Sequence, residues 1–120
     1  MYVYSFEKLI VWQEAIQLAL KTYKTTNLFP SEEKYGLCSQ MRRCSVSVSS
    51  NIAEGTSRLT KKDKAHFMTI AYSSAIELFN QSIISKELQF ISEENYLEIR
   101  KDIESITNKI NALRKSFLAT

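Results

Sequence analysis

YLEIRKDIESITNKINALRKSF, residues 96–117, places Tyr96, Ile99, Ile103, Ile106, Ile110, Leu113 and Phe117 at steps that alternate between three and four. Arg100, Lys101, Asp102, Glu104 and Lys109 occupy the other faces, so the segment reads as an amphipathic helix with a narrow seam of the coiled-coil kind. Such a seam must be laid against other helices or against a sheet. Composition removes the sheet. The 120 residues contain 2 Gly and 1 Pro, too few for the hairpins of a sandwich or barrel.

The preceding segments supply the partners. Leu9, Trp12, Ile16, Ala19 and Tyr23 follow the helical period, widened by Val11, Ala15 and Leu18, and Phe29-Pro30 ends that helix because the residue before a proline leaves the helical region. Ser31-Glu32-Glu33 offers a cap and two carboxylates to the start of a second helix. Thr60 with Asp63 makes a capping-box-like start for a third, whose stripe is Ala65, Met68, Tyr72, Ala75, Phe79 and Ile83. Ser92-Glu93-Glu94 starts the fourth. The expected helices are 6–28, 31–58, 61–90 and 93–117. Short links force neighbours to reverse, so the chain is expected to be an all-α, antiparallel up-down-up-down four-helix bundle, an elongated single domain over 1–120. Its 44% hydrophobic content is enough for a core at this length.

Charge is uneven along the chain. Arg42, Arg43, Arg58, Lys61, Lys62 and Lys64 stand against Glu54 and Asp63 between residues 39 and 66, leaving +4 there, while the whole chain carries +3. No apolar run is long enough for a bilayer span and the first residues lack a signal-peptide pattern, so no membrane role and a cytoplasmic location are expected. Cys38 and Cys44 lie on different faces of one helix and read as small core residues that cannot bridge within it. With one histidine, His66, and no Cys-x-x-Cys pair, no metal site or cofactor is expected. No phosphate loop, His-Glu-x-x-His or nucleophile elbow is present, and His66 lacks a positioned partner, so no catalytic residues are assigned and no enzyme is expected. Trp12, Phe67, Tyr72 and Phe79 fall on helical stripes and read as core.

The second helix carries two stripes. Leu37, Met41, Cys44, Val48, Ile52, Gly55 and Leu59 form an apolar seam, and beside it Gly36, Gln40, Arg43, Ser47, Asn51, Glu54 and Arg58 repeat the same spacing with polar and small residues. Two readings compete for the polar stripe: a solvated face, or a hydrogen-bonded network against another helix or another copy of the chain. Gly36, Ser47 and Gly55 would let a neighbouring backbone come close, and helical glycine costs about 1 kcal/mol relative to alanine unless packing compensates.

Tyr35-Gly36-Leu37, Gln40-Met41-Arg42-Arg43 and Ser47-Val48-Ser49-Ser50-Asn51-Ile52-Ala53-Glu54-Gly55 resemble the signature of the family of four-helix bundle proteins that includes those encoded by intervening sequences of bacterial 23S rRNA genes. That family is related to the accessory variability determinant of diversity-generating retroelements. Phe6-Glu7-Lys8-Leu9 with Val11-Trp12 is similar to its opening, Phe29-Pro30 with Glu33 to its first turn, Arg58 through Lys62 to its second connection, and Ser74 and Glu77 to its third-helix pair. Cys44, Ser49 and Ser73 depart from the family's usual alanine, proline and glycine, each small for small. The resemblance implies a ring-shaped homo-oligomer of five subunits, a nucleic-acid role, a reverse transcriptase or ribosomal component as partner, and no established enzymatic activity.

Two sets of candidate residues follow. Arg42, Arg58, Lys61, Lys62 and Lys64 are expected to bind RNA or DNA through phosphates, a weak patch multiplied by repetition in an oligomer. Gly36, Gln40, Arg43, Ser47, Asn51 and Glu54, with Glu77 as a partner for Arg43, are expected to form a polar interface seam. The competing expectation is an oligomeric scaffold or adaptor for a protein partner, with no nucleic-acid contact of its own.

Overall fold

Ser92 begins the most regular element of the chain. In the computed structural model, which describes residues 1–119, its hydroxyl accepts the Asn95 N–H at 3.1 Å, and Glu93 and Glu94 stand at the positive end of the helix that follows. Four helices are formed: α1 Ile10–Thr26, α2 Leu37–Thr56, α3 Lys61–Glu87 and α4 Glu93–Leu118, with no strand among the described residues. Tyr96, Ile99, Ile103, Ile106 and Ile110 of α4 are buried in the order the sequence sets out, and Leu113 and Phe117 are half-buried against the same core.

Side-chain contacts fix the register. Ser47 of α2 meets Ser74 of α3 while Met41 meets Ser85, so the numbers run oppositely. Lys21 of α1 pairs with Asp102 of α4 while Glu14 pairs with Lys109. Arg114 of α4 donates to Thr69 of α3, and Lys86 pairs with Glu93. Arg42 of α2 reaches back to Thr26 of α1. All four neighbours are therefore antiparallel, and α1 touches α2 and α4 but not α3. The bundle measures 47 × 30 × 22 Å, an elongated form.

Three expected helix bounds differ. The 6–28 helix is a 3-10 turn, Ser5–Lys8, separated from α1 by Leu9 in an extended conformation; the break folds Phe6 back so that its ring lies 5.1 Å from Trp12. The 31–58 helix is a 3-10 turn, Ser31–Glu33, followed by α2, because Gly36 adopts φ −105°, ψ −113° and interrupts the helix. Glu33 then accepts the Leu37 N–H at 3.3 Å, and a Cβ on Gly36 would stand 2.9 Å from the Glu33 Oε1. The third helix stops at Glu87 rather than 90. Gln89 takes the left-handed conformation at φ 64°, with Gln89 N–H bonded to Lys86 O and Phe90 N–H to Ser85 O, the paired closure of a Schellman end.

Packing also corrects three stripes. On α3 the buried face is Ala65, Met68, Ala71, Ser74, Ala75, Leu78, Gln81, Ser82 and Ser85; Tyr72 and Phe79 are half-buried and Ile83 is exposed. Leu59, placed by its spacing at the end of the α2 seam, is 98% exposed because α2 has ended before it. On α1 the residues taken as flanking, Val11, Ala15 and Leu18, are the buried ones, while Tyr23 is exposed. Buried hydroxyls of Thr22, Thr26, Ser82 and Ser85 donate to carbonyls one turn back, so they enter the core satisfied. Cys38 and Cys44 are buried and free.

Candidate assembly face and basic end

Gly55 shows how closely α2 lies on α3. A Cβ there would stand 2.7 Å from both the Met68 Cε and the Phe67 Cβ, so only hydrogen fits. One turn and more toward the amino end of α2, small side chains continue the close approach, with Ser47 Oγ and Ser74 Oγ 2.8 Å apart. Asn51 Nδ2 donates to the Ser47 carbonyl at 2.8 Å and to Ser47 Oγ at 3.0 Å, which ties this part of the polar stripe to the bundle itself.

The rest of the stripe faces outward. Gln40, Arg43, Ser47, Glu77 and Gln81 line one shallow groove along the α2/α3 face. Arg43 and Glu77 thus share a groove as the spacing suggests, yet they form no ion pair, and neither Gln40 nor Glu54 has a side-chain hydrogen bond among the described residues. Gly36 stands apart as the residue before α2, and Asn51 and Glu54 lie outside the groove. Gln81 was not singled out from the sequence, because its neighbours on α3 offered several apolar stripes. It is 4% exposed, and its Oε1 is buried without a hydrogen-bond donor. Cys44 lies beside it. Burial, then the hydrogen bond and charge of Glu77, push the Cys44 thiol up to about 11, so it remains protonated at neutral pH.

The second set of candidates separates. The antiparallel register brings the start of α1, the end of α2, the start of α3 and the end of α4 to one end of the rod, where Arg58, Lys61, Lys62 and Lys64 are joined by Lys8, Arg114 and Lys115. Acids there are few: Glu7 and Asp63, with Glu54 and Glu14 one turn in, the latter paired with Lys109. Lys62 is exposed and forms no salt bridge among the described residues. Lys61 Nζ donates to the Ala119 carbonyl at 3.3 Å, and the Arg58 guanidinium lies 5.0 Å over the Phe67 ring. Lys64 is structural in part, since its Nζ donates to the Thr56 carbonyl at 3.0 Å and sits 5.4 Å from the Phe117 ring centre. His66 is exposed beside Phe67.

Arg42 does not join this end. It lies 14 residues from Thr56, the last residue of α2, about 21 Å along the helix at ~1.5 Å per residue. Its Nε donates to Thr26 Oγ1 at 2.9 Å and its Nη2 to Asn27 Oδ1 at 2.8 Å, with the guanidinium 4.8 Å over Tyr23. These contacts clamp α2 to the end of α1. The added cations Lys8, Arg114 and Lys115 come from segments far apart in the chain, so only the fold reveals them.

No helix among the described residues is long and apolar enough to cross a membrane. The arrangement is similar to the crystal structure of a protein of unknown function from the S23 ribosomal protein family of Bacteroides thetaiotaomicron, with a TM-score of 0.79 and 21% identity over 88% of this chain and 99% of that one. No curated protein is matched in sequence. The profile described as 23S rRNA-intervening sequence protein matches residues 7–112. With the four-helix architecture and the Asn51-Ile52-Ala53-Glu54-Gly55 segment in place, the chain belongs to the 23S rRNA-intervening sequence protein family.

Proposed function

We propose that this chain is a non-enzymatic member of its family that assembles with copies of itself and binds RNA or DNA through phosphate contacts from the basic end. The observation that carries the reading is the gathering of Lys8, Arg58, Lys61, Lys62, Arg114 and Lys115 at one end of the rod, from three separate stretches of the chain, with few acids between them. Cations so placed release counterions from a phosphate backbone on binding, which makes affinity steep in salt and tolerant of sequence. Family membership supports the nucleic-acid reading by its description, and the cytoplasm is the compartment that fits it.

Assembly is supported by the outward polar face. Arg43 and Gln40 have no hydrogen-bond or ion-pair partner among the described residues, the buried Gln81 Oε1 lacks a donor, and Val46 on the same face is 42% exposed. The α1/α4 side lies across the bundle from it and exposes Ile10 and Leu20 with Gln13 and Gln17 between. Two different faces on opposite sides suit a head-to-tail contact, which closes into a ring when the rotation between neighbours permits; the resemblance implies a pentamer. A second reading, a scaffold for a protein such as a reverse transcriptase or ribosomal component without nucleic-acid contact, is favoured by the same unpaired face.

The test is the variant Lys61→Glu/Lys62→Glu, which spares Lys64 and its bond to Thr56. Its affinity for generic RNA should fall at least tenfold and lose part of its salt dependence, while its melting temperature stays within a degree or two. Unchanged affinity would reject the phosphate reading and leave the scaffold.

A further inference from the structure

The basic end carries aromatic rings that the core does not use. Tyr2 is 75% exposed and Tyr4 is 58% exposed, and neither belongs to the buried cluster or packs on it. They are nevertheless ordered in a series. The Tyr2 and Tyr4 ring centres are 4.8 Å apart edge to face, Tyr4 and Phe6 are 6.2 Å apart and stacked, and Phe6 meets the half-buried Trp12 at 5.1 Å. The backbone is held as well. Tyr4 N–H donates to Glu7 Oε2 at 2.8 Å, and Glu7 N–H donates to the Tyr4 carbonyl at 3.1 Å. The rings are thus presented to solvent on an anchored turn.

Their location matters as much as their exposure. The turn Ser5–Lys8 packs on both α1 and α2. Because Thr26 lies against Cys38 and the two helices run oppositely, residues that precede α1 fall beside the last turn of α2 and the connector that follows it. Tyr2, Tyr4 and Lys8 therefore share an end with Arg58, Lys61 and Lys62. Exposed π-faces beside cations match one kind of polymer: an anionic backbone whose bases are free to stack. A duplex offers the same phosphates, but its bases already stack on one another, so only an unpaired strand can use the rings.

We propose that the basic end takes nucleic acid as a single strand, with bases stacked on Tyr2 and Tyr4 while Lys8, Arg58, Lys61 and Lys62 hold its phosphates. This rests on the phosphate-binding reading above and adds to it a preference for unpaired strands. Every base has a π-face, so the rings add affinity without imposing a sequence. The two hydroxyls are not needed for stacking, which separates this role from a hydrogen-bonded contact.

The experiment measures binding of the full chain to a labelled 20-mer of uridylate, a 20-mer of thymidylate and a 20-base-pair RNA duplex, for the wild type and three variants. Tyr2→Ala/Tyr4→Ala should weaken uridylate binding about tenfold and leave duplex binding unchanged, and Tyr2→Phe/Tyr4→Phe should bind like the wild type. The thymidylate arm shows whether the site distinguishes RNA from DNA; stacking predicts loss of both on removing the rings. Tyr2→Ala alone, which removes a 75% exposed ring whose one aromatic pairing among the described residues is with Tyr4, should show a smaller loss in the same direction with an unaltered melting curve. Equal uridylate binding by the alanine variant, or equal losses for strand and duplex, would overturn the stacking role. If the alanine variant instead sediments as smaller assemblies with its uridylate affinity intact, the rings serve copy-to-copy contact and the proposal also fails. Lys61→Glu/Lys62→Glu separates the two claims: loss there with no effect of the tyrosines leaves phosphate binding standing, and no loss there removes its foundation.

Discussion

Gly55 is the residue on which the close contact of α2 with α3 turns. A methyl group there would meet Met68 Cε and Phe67 Cβ at 2.7 Å, and Phe67 Cβ is fixed to the α3 backbone, so relief requires the helices to part. Gly55→Ala should lower stability by about 1–3 kcal/mol despite the better helix propensity of alanine, as read from denaturant midpoints. An alanine variant as stable as the wild type would show that the helices are not so close. Cys44 makes a pH prediction. Its thiol is raised from 9.0 to about 11, so the folded state holds the proton more tightly than the unfolded chain. The resulting stability is complete below pH 9 and is lost as pH climbs toward 11, on the order of 3 kcal/mol for two pH units at ~1.4 kcal/mol per unit. Cys44→Ala should therefore lose stability less steeply than the wild type between pH 9 and 11; equal slopes would contradict the assignment. Single residues were unequally legible. Gly55 announced itself as a glycine inside a helical pattern, whereas Gln89 gave no sign of its left-handed backbone, which glycine or asparagine usually marks.

At the scale of elements, α4 was readable in full because its isoleucines, with Tyr96, Leu113 and Phe117, occupy one narrow face and only Leu97, Ala112 and Leu118 fall off it. The α3 face was not. Ile70, Ile76, Ile83 and Ile84 spread apolar side chains around that helix, while its buried face includes Ser74, Gln81, Ser82 and Ser85, so hydrophobicity alone pointed to the wrong side at Ile83. The start of α2 was misplaced for a different reason: Ser31-Glu32-Glu33 form a 3-10 turn of their own with no side-chain cap, Gly36 breaks the chain out of helix, and the Glu33 carboxylate accepts the first N–H of α2 at Leu37. The polar stripe of α2 was legible as a pattern but not as a location, since periodicity places it beside the core and only packing turns its Arg43 outward. That residue gives the test at this scale. Arg43→Leu leaves the isolated bundle without a lost internal contact, so its melting behaviour should change by less than about 0.5 kcal/mol where no assembly forms. In the assembled protein it should alter or abolish the subunit number, as measured by light scattering, because a polar residue that sets register has been replaced by one that does not. An unchanged assembly would count against the seam.

The whole molecule is a rod with unequal ends. One gathers Lys8, Arg58, Lys61, Lys62, Lys64, Arg114 and Lys115, while the other holds Glu32, Glu33, Glu87, Glu93, Glu94 and Glu98 against Lys21, Lys24, Lys34, Arg42 and Lys86. A net charge of +3 conceals this separation, and the local excess between residues 39 and 66 reveals only part of it, since Arg42 and Arg43 in that stretch belong elsewhere on the rod. Side-by-side assembly of parallel rods would bring the basic ends together into one rim, turning a modest patch into a multivalent one. Sedimentation velocity with and without single-stranded RNA reads both halves of this account together. The account predicts that the wild type sediments as a multi-subunit particle that carries RNA, and that Lys61→Glu/Lys62→Glu sediments at the same size without it. A single-chain boundary, or a charge-reversed particle that still carries RNA, would contradict it.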